Sequence, residues 1–139
     1  MKKLFQTSFN PAYLDVTLLF ARVVISCMML THGLPKMQEL LAGNYQFADP
    51  IGLGMKTSLI LAVFTEVVLS ICMILGLAFR ISTIGLLVTM LIAAFVTHAG
   101  DPLEVKEKAL LYLLVYAILA VAGSGKYAVD HFISKKLNS

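Results

Sequence analysis

Glu66 stands in the middle of an otherwise uncharged run, Thr57 to Leu75, that is long enough to cross a bilayer. A second apolar run, Val16 to Leu30, also carries one charge, of opposite sign: Arg22. An ionisable side chain at bilayer depth costs about 2.5–3.5 kcal/mol on insertion scales, so it turns inward and finds a partner. Counting from the span centres puts the two residues about 6 Å apart along the axis. A guanidinium also fits a carboxylate in a bidentate fork. The sequence therefore predicts an intramembrane ion pair, Arg22–Glu66, which either locks helix register or handles a ligand or proton directly.

A second group of chemically capable residues gathers at the other end of the same segments. His32, Lys36, His98 and Glu107 are expected to meet there, with Asp101 and Glu104 nearby. Two facing histidines are haem ligands, and with carboxylates they are metal ligands. The spacing here matches no metal motif, so no metal site is assigned and haem is disfavoured. A polar mouth to a cavity, or interfacial anchoring, is the better reading. Tyr112 and Tyr116, in line with Lys108, are read as packing residues unless they line that cavity. Gly123-Ser124-Gly125-Lys126 follows a helix, not a strand, so it is a helix stop and not a phosphate loop. Cys27 and Cys72 are read as small buried hydrophobes at different depths, not as a disulfide.

These residues must be held by membrane helices. Of 139 residues, 59% are hydrophobic and 14% charged, with mean hydropathy +0.87; a soluble domain has about 25% charged residues. Continuous apolar runs without a period of two exclude a barrel, and the remaining way to satisfy a backbone in lipid is the helix. The expected fold is all-α: one polytopic membrane domain over residues 1–139, an antiparallel bundle of four transmembrane helices at about 13–34, 55–77, 81–99 and 103–123. Asn10-Pro11 opens the first helix and Pro35 is its expected end or kink. Lys36 to Ala42 then reads as an interfacial turn of helix, and residues 47–54 as loop.

One face of the first helix carries Asp15, Arg22, Ser26, Met29, Gly33 and Lys36; the second carries Ala62, Glu66, Ser70 and Met73. The third has Gly85, Thr89, Ala93 and Thr97, a small-residue seam for close packing. The fourth has only about 14 uncharged residues, so its leading charges must approach the membrane surface. Met1-Lys2-Lys3 and the segment Val24-Ile25-Ser26-Cys27 loosely resemble a lipoprotein leader, but Arg22 interrupts the apolar stretch, and retention of the first span is expected. Lys2, Lys3, Arg80, Lys126, Lys135 and Lys136 against Lys36, Lys56, Lys106 and Lys108 favour both termini in the cytoplasm. Net charge +3, with cations flanking the spans, points to orientation signals and to a lipid bilayer partner, not to nucleic acid.

Taken in order, these pieces resemble the DoxX family of small bacterial four-helix inner-membrane proteins. They are Arg22, His32-Gly33-Leu34-Pro35-Lys36, Glu66, Leu75-Gly76-Leu77-Ala78-Phe79-Arg80, His98, Glu107 ahead of Ala109-Leu110-Leu111-Tyr112-Leu113, and Gly123 to Asp130. Ser124 stands where the family usually has proline. The resemblance implies a membrane subunit or anchor of a redox-related system, with a redox protein partner, a homo-oligomer or both. A quinone or other small lipophilic ligand between the helices is the cofactor it implies. The chain has no Cys-x-x-Cys and no nucleotide motif, so catalysis by this chain alone is not expected. The alternatives are a small proton-coupled transporter or permeability factor using Glu66, and a purely structural scaffold.

Overall fold

A computed structural model describes residues 10–138, and among these every regular element is helical. Helix α1 runs Pro11–Leu41, α2 Met55–Leu75, α3 Phe79–Thr97, α4 Leu103–Ala122 and α5 Val129–Leu137. The first three are long and apolar enough to cross a membrane. Lys2 and Lys3, counted above in the orientation argument, lie outside the described residues.

α1 starts as expected, with the Asn10 side chain accepting a hydrogen bond from Ala12 N at 2.9 Å. Its end differs from expectation. The helix passes through Pro35 and stops only at Leu41, so Lys36 belongs to the same rod as Arg22. Helices within a bundle tolerate an internal proline because neighbouring groups re-satisfy the freed carbonyl. The buried positions are Leu18, Arg22, Ser26, Met29 and Gly33, the face read from spacing.

α2 is not uniform. Its middle, Phe64–Leu69, is π-helical, and this wider turn holds Glu66, Val67 and Leu69 in the interior together. The last stretch of α3, Ala93–Thr97, is also π-helical. Such insertions concentrate at functional sites. The buried face of α3 is Phe79, Ser82, Thr83, Leu86, Met90 and Ala94. The expected small-residue seam lies at the edge of this face, where a Cβ on Gly85 would sit 2.4 Å from Leu69 Cδ1; Thr97 at its end is exposed.

Two glycines fix how α1 meets α2. A Cβ on Gly33 would lie 2.8 Å from Val67 and 2.9 Å from Glu66 Cβ. One on Gly76, just past α2, would lie 2.4 Å from Arg22 Nη1. Gly33 is therefore level with Glu66, and Arg22 with Gly76, so α1 and α2 run in opposite directions. The core beside them joins Leu18, Met29, Met73, Leu86, Tyr116 and Leu119 from all four long helices. Cys27 is not buried as expected but exposed on the outer face of α1, and Cys72 is half-buried; both are free.

Candidate functional site

The two intramembrane charges do not pair with each other. Glu66 Oε1 accepts from Lys36 Nζ at 2.5 Å, with the Glu66 side chain 5% exposed and Lys36 30%. Arg22, 1% exposed, donates through Nη1 to Ser124 O at 3.0 Å and through Nη2 to Tyr127 O. The physical reason is register. Eleven residues separate the level of Arg22 from that of Gly33 and Glu66, about 16 Å at 1.5 Å per residue, beyond the reach of an arginine. The first helix extends past Pro35, which brings Lys36 one turn above Gly33 and onto Glu66.

The end of the molecule around Arg22 is closed by a strap, residues 123–130. Asp15 Oδ1 accepts from Lys126 N at 3.1 Å, and its Oδ2 lies 3.4 Å from Lys126 Nζ. Asp130 accepts from Ala78 N and Phe79 N, each at 2.8 Å, and so caps α3 from outside the helix. Gly123 does stop α4, with φ +85°. The strap also supplies the carbonyls that take the Arg22 charge, a role that sequence spacing did not disclose.

At the opposite end lies a cavity of about 200 Å³. Its polar lining is His32, Lys36, Glu66, His98, Lys108 and Tyr112, and its apolar lining Met29, Met90, Ala93, Val105 and Ala109. Three of the four residues expected at a polar mouth are therefore together. Glu107 is not among the lining residues, and its side chain is exposed. Neighbours on a helix point about 100° apart, so Lys108, four before Tyr112, takes the place assigned to Glu107. Both π-helical stretches reach the cavity, through Glu66 and Ala93.

The Lys36 ammonium also lies 5.7 Å from the centre of the Phe47 ring, which is outside the cavity lining. The His32 ring meets Tyr112 edge-on at 5.8 Å, and Tyr112 stacks on Tyr116 at 6.1 Å. His98 Nδ1 is 2.7 Å from Asp101 Oδ2. No third His, Cys, Asp or Glu joins them among the described residues in a metal-binding group. Glu66 Oε2 is buried and has no protein partner among the described residues. A second, larger cleft of about 370 Å³ lies at the strap, between Phe79, Arg80, Ser124 and Asp130. Its carboxylate is already committed to backbone N–H groups, so the smaller cavity, with an unused carboxylate oxygen, is the candidate site.

The comparisons agree with this membrane architecture. The chain is 32% identical over 135 residues to an uncharacterized protein of Haemophilus influenzae, a match covering 89% of this chain and 96% of that one. No solved structure matches it. The DoxX family model matches residues 17–99, which include Arg22, Gly33, Lys36, Glu66 and His98, and the chain belongs to the DoxX family.

Proposed function

We propose that this chain is the membrane subunit of a redox-related system, and that its cavity takes the headgroup of a quinone or a similarly sized lipophilic ring. The observation that carries this reading is Glu66, which lines a cavity otherwise rich in donors and whose Oε2 is buried without a protein partner among the described residues. Lys36, Lys108 and the histidines can donate to quinone carbonyl oxygens, while Glu66 accepts from the hydroxyl of the reduced ring. At about 200 Å³ the cavity is smaller than the usual ~300–1,000 Å³ of ligand sites. It suits a single ring, with an isoprenoid tail leaving between helices into lipid. The sequence has no Cys-x-x-Cys and no nucleotide motif; in this reading electrons come from a partner protein, and assembly with that partner or a second copy is part of the proposal.

The same reading makes the whole chain one domain in a bacterial inner membrane. α4 would be the fourth span of an antiparallel bundle, Lys106 and Lys108 reaching the surface and both termini cytoplasmic. A proton-coupled transporter is the second reading, favoured by the same unpartnered carboxylate oxygen. Purification in mild detergent followed by mass spectrometry of co-extracted lipids separates them. Near-stoichiometric quinone supports the first, and its loss in Glu66→Gln places it in this cavity. Preparations free of quinone that also fail to take up added short-chain quinone would overturn it.

A further inference from the structure

Five buried side-chain atoms have no protein partner among the described residues: Glu66 Oε2, Tyr116 Oη, Ser70 Oγ, Ser26 Oγ and Arg22 Nε. Each belongs to a residue no more than 4% exposed. Leaving a buried polar group unbonded is costly, so five in one interior call for an account. Packing between α1 and α2 sets their order. Ser26 is one turn from Arg22 on α1, Ser70 is one turn from Glu66 on α2, and Tyr116 is one turn from Tyr112, which meets His32.

With Gly33 level with Glu66 and Gly76 level with Arg22, Ser70 falls near the level of Met29 and Tyr116 near that of Met28. The axial steps from Arg22 to Ser26, to Ser70 and to Glu66 are then about 6, 4.5 and 6 Å. Direct hydroxyl contacts are shorter than this, at about 2.8 Å, so each axial step calls for two hydrogen bonds through one bridging water. The ends of the row differ in kind. Arg22 Nε only donates, and an ionised Glu66 Oε2 only accepts. A chain between them is polarised, each hydroxyl and water donating toward Glu66.

We propose that Ser26, Ser70 and Tyr116 line a hydrated file that carries protons from the strap end of the molecule, past Arg22, to Glu66 in the cavity. The proposal rests on Glu66 as the proton-accepting group of that cavity. It makes proton uptake by the bound ring draw on the opposite membrane face, and so makes it electrogenic. Each transfer moves one proton along the file, water by water, and protonates Glu66 Oε2; no electron is exchanged in this step.

The test uses full-length protein in vesicles holding a trapped pH-sensitive dye, with a potassium diffusion potential imposed. Wild type should move protons at least tenfold faster than protein-free vesicles. Tyr116→Phe, which removes one atom, and Ser70→Ala should each slow that flux about tenfold, with melting temperatures near wild type. Binding of a short-chain quinone in the same vesicles should change less than twofold, since neither residue lines the cavity. Wild-type flux equal to that of empty vesicles, or flux unchanged in both variants, would overturn the file. If quinone binding persists then, the cavity reading stands alone; if flux behaves as described while quinone never binds, the cavity ligand is wrong and the file remains.

Discussion

At the scale of single residues, Arg22 and Glu66 are both buried, yet each is held by a different group: strap carbonyls take the guanidinium and Lys36 takes the carboxylate. Spacing alone placed Arg22 and Glu66 on inward faces, because an uncompensated charge at that depth is too costly to face lipid. Partner choice depends on where two rods touch, and that is set by Gly33 and Gly76 and by a strap more than 100 residues away in sequence from Arg22. With about 16 Å between their levels and no direct contact, stability losses from Arg22→Gln and Glu66→Gln should add within about 0.5 kcal/mol in detergent melts, unlike those of a contacting ion pair. Lys36→Met and Glu66→Gln should instead couple by about 1 kcal/mol, a modest figure because Lys36 is partly exposed. A second residue-scale expectation concerns Asp49, outside the spans. The hydroxyl of Ser58 foremost, then backbone N–H groups of the next turn, hold its carboxyl below the ordinary value of 3.8. A carboxyl depressed in the folded state stabilises above its unfolded pKa, and that contribution is lost as pH falls through its folded value. Melting temperature should therefore drop more on acidification below pH 3.8 in wild type than in Asp49→Asn, which should already be lower at neutral pH. Equal pH profiles would show that the Asp49 bonds do not hold the start of α2.

Among the elements, the positions of the four long helices were legible and two of their internal features were not. Apolar runs bounded by Asn10-Pro11, Gly76 and Asp101-Pro102 locate helices with little ambiguity. Pro35 is read as the end of the first helix or a kink in it, and the helix continues through it to Leu41. The π-helical turns in α2 and α3 leave no local signature in the sequence. The close approach at Gly33 gives the element-scale prediction. A methyl there would meet the Glu66 backbone carbon at 3.0 Å as well as its side chain, with no flexible end to yield. Gly33→Ala should cost about 1–3 kcal/mol in detergent unfolding. Gly76→Ala should cost at least as much, because a left-handed φ of +68° adds strain to the collision with Ala128. Stabilities unchanged by both would mean that α1 and α2 do not meet as described.

For the whole molecule, two ends with different duties emerge. One is closed by the strap, where Asp15, Arg22 and Asp130 bind loop and helix backbone; the other holds the cavity with its Lys36–Glu66 pair. Four of the expected site residues, Glu66, His32, Lys36 and His98, could be located from charge and depth. Lys108 and Tyr112 follow from helical spacing once the cavity is known, whereas Glu107 was misplaced by one position on the helix. The proposed four-span arrangement predicts that reporter fusions after Asn44 and after Asn138 lie on opposite sides; the same side would remove a span. The affinity of reconstituted protein for a short-chain quinone tests the proposed occupancy of the cavity most directly. Wild type should bind one equivalent saturably, Glu66→Gln at least tenfold more weakly, and Glu107→Gln within twofold of wild type. Binding that is absent in wild type, or indifferent to Glu66, would contradict it.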